Sequence, residues 1–200
     1  MTHDPEKHHR RSIRLQDYDY SQPGAYFLTI CTQDQQCLFG EIVDGEMQLN
    51  DAGRMIARWW EELPNKFPSA ETDEYVVMPN HFHGIVIIVG ADLCVRPDPG
   101  THVGVPLPEM VQWFKTMTTN EYIRGVKQHG WHPFPGKLWQ RNYYEHVIRN
   151  EQSLHRIREY IATNPQRWSL DKENPQRRGA DDFDLWLESF RTRPASGRET

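Results

Sequence analysis

The sequence predicts an α+β fold in which helices pack on one antiparallel β-sheet. Short runs rich in β-branched and aromatic residues indicate strands, and longer segments with apolar residues three and four positions apart indicate helices. A hairpin with Asp44-Gly45 at its turn follows the first strand. Without this hairpin the order is β-α-β-β-α-β and then a helix, which is the split-βαβ, ferredoxin-like pattern. That topology places the first and third strands of the sheet at its centre.

Local signals bound each of these elements. The strands of the sheet are predicted at residues 25–32, 73–79, 82–90 and 138–148, and the hairpin strands at 37–43 and 46–49. A capping asparagine or aspartate precedes the first and last helices, and a proline ends each of them. The predicted helices cover about residues 51–63, 108–127 and 151–163, with a short amphipathic helix within 183–190.

Length and composition bound the class of protein. A chain of 200 residues forms one domain with extensions, or two small domains, and is long enough to bury a real core. No apolar run approaches the ~18 residues of a membrane span, and the N-terminus lacks the apolar stretch of a secretion signal. Three cysteines without C-x-x-C spacing indicate reduced thiols. We therefore expect a cytoplasmic protein without a membrane partner.

The distribution of charge is more informative than its sum. The net charge of −5 argues against nucleic-acid binding, but residues 113–158 carry eight Lys/Arg and three Glu, so this segment is +5 and the remainder −10. Aromatic residues are interleaved with these cations, which suits phosphate contacts combined with base stacking. A pair of helices with solvated charged faces and aromatic cores explains the composition equally well.

The chain divides into three regions. Residues 1–24 form a basic, turn-rich arm, residues 25–168 the main domain, and residues 169–200 a C-terminal extension that we expect to be partly disordered. The arm is either a phosphate contact or a disordered leader. Residues 91–107 are rich in glycine and proline and are predicted to form a loop near the functional site.

Two histidines, His81 and His83, stand at the start of a strongly apolar strand. Because side chains alternate along a strand, the two imidazoles share one face while Phe82 points to the other. Two imidazoles side by side on a rigid strand can hold a metal ion. Taken alone, such a pair is more often two hydrogen-bonded polar residues at a strand entrance.

The last predicted helix offers the second half of a site. Positions four apart project about 40° from each other around a helix, so Arg156, Tyr160 and Asn164 form a row beside the apolar stripe. If this helix crosses the histidine strand, the two imidazoles and the Asn164 oxygen can share one metal, with the Tyr160 hydroxyl beside it. Tyr143 and Tyr144 are rival nucleophiles, and Tyr160 is alternatively an ordinary tyrosine at the edge of the core.

These side chains suit the cleavage of a phosphodiester. A divalent metal neutralises the charge of the phosphate and polarises the phosphorus, and a tyrosine hydroxyl beside a cation is a workable nucleophile. Covalent attack conserves the bond energy in a phosphotyrosine, so the strand can later be rejoined. His81, His83 and Asn164 as ligands would accept Mg²⁺, Mn²⁺ or Zn²⁺, and of these we predict Mg²⁺ or Mn²⁺.

Three short motifs occur in a specific order along the chain. They are Met78-Pro79-Asn80-His81-Phe82-His83, Trp139-Gln140-Arg141, and Tyr160-Ile161-x-x-Asn164-Pro165. Their combination resembles the REP-associated tyrosine transposases. These belong to the HUH endonucleases and are related to the single-tyrosine transposases of small bacterial insertion sequences. The resemblance covers about residues 10–170 and does not extend to the C-terminal extension or the 91–107 loop.

The resemblance implies a ferredoxin-like domain that cleaves single-stranded DNA at the foot of an imperfect hairpin. By match to the motif, His81 and His83 are the metal ligands and Tyr160 is the nucleophile, which becomes linked to the 5′ phosphate while a 3′ hydroxyl is released. The insertion-sequence relatives usually have a glutamine where Asn164 stands here. The implied partner is a single-stranded DNA hairpin, without a small-molecule cofactor, and the protein is a monomer or a homodimer.

Basic side chains are the candidates for DNA contacts. We predict phosphate contacts for Arg11, Arg14, Lys115, Arg141 and Arg156. For Arg141 a surface ion pair is an equal alternative. A function of another class, a non-catalytic hairpin-binding regulator derived from a transposase, would need neither the two histidines nor the tyrosine. A structural metal protein would need four closed ligands, and the sequence offers no obvious fourth.

Overall fold

The computed structural model describes residues 22–89 and 105–191. Its strands and helices in chain order are β1 (Gly24–Cys31), β2 (Gly40–Val43), β3 (Glu46–Leu49), α1 (Asp51–Glu61), α2 (Leu63–Lys66), β4 (Ala70–Val77), β5 (His81–Ile88), α3 (Leu107–His129), β6 (Tyr144–Ile148), α4 (Glu151–Thr163) and α5 (Asp182–Arg191). Short 3-10 helices cover Gln33–Gln35 and Asn164–Leu170. The fold is therefore α+β, as the sequence predicts.

Four strands form one antiparallel sheet in the order β4-β5-β1-β6. The first and third strands of the sheet, β1 and β5, occupy its centre, which confirms the split-βαβ topology. Strands β2 and β3 form the separate predicted hairpin. Its turn residues Asp44 and Gly45 have positive φ angles of 52° and 80°, which is the turn conformation that an Asp-Gly pair favours.

Each face of the sheet has its own hydrophobic core. The register between β1 and β5 determines which of their side chains point into each core. Trp60 of α1 and Phe114 of α3 pack with Phe82 on one face. On the opposite face, Phe27 and Ile85 join a cluster with buried apolar side chains of α4 and α5. Strand β5 is buried along almost all of its length because helices cover it on both sides.

Capping residues define the helix starts that the sequence predicts. The Asn50 side chain accepts a hydrogen bond from the Gly53 amide at 2.9 Å, and Asn150 accepts one from the Ser153 amide at 2.8 Å. Helix α1 ends slightly earlier than predicted. Pro64 does not end it but occupies the first turn of the separate helix α2, where the missing amide of a proline costs no hydrogen bond.

The strand predicted at 138–148 is shorter in the structure, so that part of the prediction is wrong. Only Tyr144–Ile148 pairs with β1, and an isolated bridge joins Trp139 to Thr32. Trp139 is buried, and its indole nitrogen donates to the Thr118 hydroxyl at 2.9 Å. Lys115 donates to the carbonyl of Gln140 at 2.7 Å. These contacts with α3 hold residues 138–143 as a loop, although their composition suits a strand.

The segment after residue 168 returns to the sheet. The short helix predicted within 183–190 is present as α5. Its side chains Phe183 and Leu187 are buried in the same cluster as Phe27. The domain boundary at residue 168 remains a prediction, but the described part of the C-terminal region packs on the face that carries the histidines.

Several predicted features lie outside the described residues. These are the N-terminal arm with Arg11 and Arg14, most of the 91–107 loop, and the last nine residues of the extension. Among the helices of the described ranges, none combines the length and apolar character that crossing a bilayer requires.

Gly84, on β5 directly after His83, offers a test of the core beneath the histidine strand. A Cβ atom there would lie 2.8 Å from the Phe82 ring and 2.8 Å from Trp60 Cζ2. We expect Gly84→Ala to lower the free energy of unfolding by about 1–3 kcal/mol, because neither buried ring can move without disturbing the core. Urea denaturation measures this change.

Gly24→Ala is the matched control in the same sheet, because its Cβ would meet atoms no closer than 3.7 Å. That variant should unfold at nearly the wild-type urea concentration. Equal stability of the two variants would contradict the close packing described for Gly84.

Candidate active site

The two histidines of β5 project from the centre of the sheet into the interface with α4. His81 pairs with Cys31 and His83 with Thr29 across the β1–β5 ladder. Both side chains are buried, and their Nε2 atoms lie 3.0 Å apart. The alternation predicted from the sequence thus places both imidazoles on one face, with Phe82 on the other.

The outer nitrogen of each imidazole has a polar partner. His81 Nδ1 lies 2.9 Å from Asn80 Oδ1, while the Asn80 amide nitrogen donates to the carbonyls of Gln35 and Glu173. This orientation of the amide assigns the proton of His81 to Nδ1 and the lone pair to Nε2. His83 Nδ1 lies 2.9 Å from the Thr29 hydroxyl. Such outer partners orient histidines that bind metals.

Burial keeps both imidazoles neutral. It lowers the pKa of His81, although Asp171 and Glu173 act in the opposite direction. Burial, followed by the neighbouring His81, holds the pKa of His83 well below its usual value of 6.5. Neutral imidazole is the form that binds metal ions, so the protonation state suits a cation between the two Nε2 atoms.

Tyr160, on the last turns of α4, meets the histidine pair. Its hydroxyl lies 3.4 Å from His83 Nε2 and 3.4 Å from Asp171 Oδ2. Its ring stacks on Phe183 of α5 with centroids 3.6 Å apart, and only 2% of the residue is exposed. Burial, and then the carboxylates around it, raise the pKa of Tyr160 well above 10. In this arrangement the phenol is protonated at neutral pH.

Asp171 completes the cluster, although no motif in the sequence points to it. It follows the 3-10 helix Asn164–Leu170, and its Oδ2 lies 3.7 Å from His81 Nε2. One ligand atom from each of His81, His83 and Asp171 fits within a span of 4.8 Å. Asp171 stands in a polar stretch and belongs to no recognisable motif. It reaches the histidines only because the chain turns back toward the sheet after α4.

Asn164, the predicted third ligand, is also in the site. It is fully buried, and its amide nitrogen donates to Asp171 Oδ2 at 2.8 Å. Its Oδ1 atom has no hydrogen-bond partner among the described residues. A buried acceptor left without a donor costs free energy that a cation can recover. The structure therefore places the Asp171 carboxylate beside His81 and joins Asn164 to that carboxylate through its amide nitrogen.

The donor set fits a divalent metal. Imidazole nitrogen with carboxylate and amide oxygen is a ligand set that Mg²⁺, Mn²⁺ and Zn²⁺ accept. The unpartnered Asn164 oxygen agrees with this fit.

One further cation lies against the tyrosine. The Arg167 guanidinium carbon is 5.8 Å from the centre of the Tyr160 ring, and the guanidinium pairs with the buried carboxylate of Asp181. Arg167 opposes the rise in the pKa of Tyr160. Helical spacing does not single out this residue, because it falls in the 3-10 helix, outside the row predicted on α4.

The predicted DNA-contacting residues have different environments. Lys115 is half-buried and donates to loop carbonyls, and burial lowers its pKa to about 8. Arg141 is exposed. Arg156 is exposed too, and its guanidinium carbon lies 4.7 Å from the centre of the Trp186 ring. Lys115 thus contacts the 138–143 loop, whereas the two arginines face solvent, and DNA contact by any of the three remains a prediction.

Of the other aromatic residues near the sheet, Tyr143 packs against the core that contains Phe82. Tyr144 and His146 lie on β6, which β1 separates from the histidine strand. Tyr144 packs edge-on against Phe27 at 6.4 Å between ring centres, and the Lys172 ammonium lies 5.1 Å from the centre of its ring. His146 contacts Trp186 and Phe190, and burial lowers its pKa to about 4. Its ring contacts are therefore with the aromatic side chains of α5.

Comparisons with known proteins give one close relative. No protein-family model matches the chain. A protein of Haemophilus influenzae strain Rd, described as uncharacterized, is 41% identical over 170 residues, which span 82% of this chain and 93% of that protein.

Two solved structures are similar at lower levels. A REP-associated tyrosine transposase bound to a REP hairpin gives a TM-score of 0.49 at 19% identity, over 76% of this chain and 72% of that one. A candidate transposase from Deinococcus radiodurans R1 gives 0.42 at 16% identity, over 74% and 95%. Because both TM-scores are below 0.5, neither similarity carries an argument about function.

Proposed function

We propose that this chain, which belongs to the same family as the uncharacterized protein of Haemophilus influenzae, is a metal-dependent single-stranded DNA endonuclease and strand transferase that acts at hairpins. The observation that carries the proposal is the Tyr160 hydroxyl, 3.4 Å from Nε2 of one of two buried, neutral histidines. The order of the three sequence motifs, with its resemblance to the REP-associated tyrosine transposases, supports the same reaction.

Tyr160 is the nucleophile in this proposal. Its hydroxyl loses a proton, and the phenolate oxygen forms a bond to the phosphorus of the scissile phosphodiester. The bond from phosphorus to the 3′ oxygen breaks, and that oxygen takes up a proton. The products are a 5′-phosphotyrosine and a free 3′ hydroxyl, with no water consumed. The reverse reaction, with another 3′ hydroxyl, joins strands.

His81 and His83 would hold the metal, together with Asp171, Asn164 or both. When bound, Mg²⁺ or Mn²⁺ would neutralise the phosphate and favour the phenolate form of the nearby tyrosine. Asn80 and Thr29 hold the two imidazoles in the orientation that metal binding requires. Arg167, close to the Tyr160 ring, adds positive charge on the side of the nucleophile.

A substrate phosphate reaches Tyr160 only after Phe183 moves off its ring, because the tyrosine is 2% exposed. The proposal therefore includes a displacement of α5 when DNA enters. The same burial favours a second candidate function, a hairpin-binding regulator that does not cut. The two candidates differ in one product, the covalent bond between protein and DNA.

Detection of that bond tests the proposal directly. The purified chain is incubated with Mn²⁺ and single-stranded oligonucleotides that form imperfect hairpins, and the products are separated under denaturing conditions. We expect a protein band that carries a label from the 3′ end of the DNA and not from its 5′ end. Hairpin binding without any such band would leave the regulator as the function.

The third ligand can be decided by comparing two substitutions. We expect Asp171→Asn to weaken Mn²⁺ binding by at least about tenfold, because it removes a full negative charge 3.7 Å from His81 Nε2. Asn164→Ala, which removes a neutral amide, should have the smaller effect. Isothermal titration with Mn²⁺ measures both affinities.

Thermal melting of the two variants controls for loss of fold. A larger loss of Mn²⁺ affinity in Asn164→Ala would instead restore Asn164 as the main oxygen ligand, in agreement with the sequence-based expectation.

A further inference from the structure

Two cations beside the candidate active site are paired with carboxylates at the start of α5. Arg167 pairs with Asp181, the residue directly before the helix, and the Lys172 ammonium lies 3.4 Å from Asp184 Oδ1 in its first turn. The side chains of Arg167 and Lys172 are 33% and 31% exposed, so both are within reach of an approaching ligand. Neither belongs to the basic residues that the sequence predicts to contact DNA.

Both cations act on groups of the proposed reaction. The Arg167 guanidinium carbon is 5.8 Å from the centre of the Tyr160 ring. Burial is the main cause of the low pKa values of His81 and His83, and the positive charge of Lys172 acts in the same direction on both. The two positive charges therefore extend over the space where a scissile phosphate would bind.

The carboxylates that pair with these cations are held at a cost. Asp181 and Asp184 are both buried, and Asp181 Oδ2 has no hydrogen-bond partner among the described residues. Burial raises the pKa of Asp184, although Lys172 opposes that rise. Because an ion pair with a desolvated carboxylate contributes little net stability, another anion can replace the carboxylate.

A cavity of about 290 Å³ lies between the β1–β6 edge of the sheet and α5. Its wall has three carboxylates and one ammonium: Asp184 and Glu188 belong to α5, whereas Glu173 and Lys172 belong to the segment before it. Displacement of α5, which entry of DNA to Tyr160 requires, removes two of the three carboxylates and leaves the ammonium. The opened groove then carries one charge of each sign and no longer repels a phosphate.

We propose that Arg167 and Lys172 bind two phosphates of the DNA strand once α5 has moved. Arg167 binds the scissile phosphate beside Tyr160, and Lys172 binds a neighbouring phosphate of the same strand. In the structure Asp181 and Asp184 occupy the places of these phosphates. A guanidinium binds carboxylate and phosphate oxygens with the same two-pronged geometry, so one anion can exchange for the other. The assignment rests on the proposed function.

The two cations could instead serve only to hold α5 in place, and a background without the ion pairs separates these roles. The double variant Asp181→Asn/Asp184→Asn removes both pairs at nearly constant shape, and asparagine can still cap the helix. The probe is a fluorescein-labelled imperfect DNA hairpin with single-stranded dT flanks, and anisotropy is measured in EDTA so that no cleavage occurs. We expect this variant to bind the probe roughly fivefold more tightly than the wild type.

Arg167→Gln and Lys172→Met are then introduced singly into that background. Each should weaken binding on the order of tenfold, because only a phosphate contact remains to be lost. Each should also lower the slope of log affinity against log salt concentration by about 0.7, the value for one phosphate of a single strand. If the cations only held α5, neither substitution would change the affinity or the slope in this background.

The ion pair between Arg158 and Asp73 provides the matched control. The Arg158 side chain is 38% exposed, and its partner lies on the edge strand β4. Arg158→Gln in an Asp73→Asn background should leave both the affinity and the salt slope unchanged. Thermal melting shows whether each variant is folded. If the double variant does not fold, the salt slopes of Arg167→Gln and Lys172→Met in the wild-type background decide, because the slope counts phosphate contacts.

The outcomes separate this inference from the proposed function. Failure of the wild type and every variant to bind the hairpin would overturn the proposed function, and the phosphate contacts with it. Tight binding whose affinity and salt slope are the same with and without Arg167 and Lys172 would overturn the phosphate contacts alone. Equal losses in the Arg158→Gln control would do the same, because the effect would then come from net charge.

Discussion

Replacing Tyr160 by phenylalanine is expected to reduce covalent protein–DNA adduct formation by at least about a thousandfold, since the substitution removes the proposed nucleophilic oxygen. The fold should persist. The ring keeps its stacking on Phe183 at 3.6 Å, and the lost hydroxyl makes only long contacts of 3.4 Å. Such contacts are worth no more than about 1 kcal/mol. Denaturing electrophoresis with 3′-labelled DNA measures the adduct.

Hairpin binding by the same variant should stay within a factor of about two, because one neutral hydroxyl adds little to the charged phosphate contacts that dominate DNA affinity. Tyr75→Phe is a suitable control: Tyr75 lies on β4, and its hydroxyl donates to Glu61, on the other side of the sheet from the histidines. An adduct that survives in Tyr160→Phe would assign the nucleophile to another residue, with Tyr144 as the first to examine.

Replacing His83 by leucine should abolish both Mn²⁺ binding and Mn²⁺-dependent cleavage. Leucine is close to histidine in size, and the surroundings of His83 include Phe27, whose ring centre lies 5.3 Å away. Because the imidazole is buried and neutral, an apolar side chain should be tolerated without unfolding. Loss of a hydrogen-bond partner of a metal ligand typically lowers metal affinity or activity by about ten- to a hundredfold. Because loss of a ligand itself should cost more, we expect cleavage to fall by at least about a hundredfold.

His146→Leu provides the matched control, because His146 belongs to the same sheet but contacts Trp186 and Phe190 instead of the histidine pair. Its Mn²⁺ titration and adduct yield should equal those of the wild type. Unchanged Mn²⁺-dependent cleavage in His83→Leu, in protein that melts normally, would eliminate the metal assignment.

Local signals explain why much of the fold was predictable. The apolar alternation around His81 and His83 places both imidazoles on one face whatever the neighbouring strands are. The Asn150 cap begins α4 where the sequence predicts. Since α4 must then cross the sheet to bury Ile157 and Ile161, Tyr160 is carried toward the histidines by the helix period alone.

Tertiary contacts explain what was not predictable. Asp171 reaches His81 only because the 3-10 helix after α4 redirects the chain, and no spacing in the sequence encodes that turn. The loop at 138–143 has strand-like composition, but Lys115 and the burial of Trp139 hold it against α3. Phe183 likewise looked like part of a terminal extension, and its stacking on Tyr160 depends on the same return of the chain.

Asp171 and Phe183 lie on the same chain segment after α4, so metal binding and access to Tyr160 are coupled. A cation held by Asp171 would restrain the stretch that leads into α5, and α5 carries the ring that covers Tyr160. Metal occupancy and exposure of the Tyr160 hydroxyl would then be linked equilibria, and linkage is reciprocal. If displacement of α5 moves Asp171 away from the histidines, DNA binding lowers the affinity for the metal. The metal then lowers the affinity for DNA by the same factor. The free energy of one process is therefore measurable through the other.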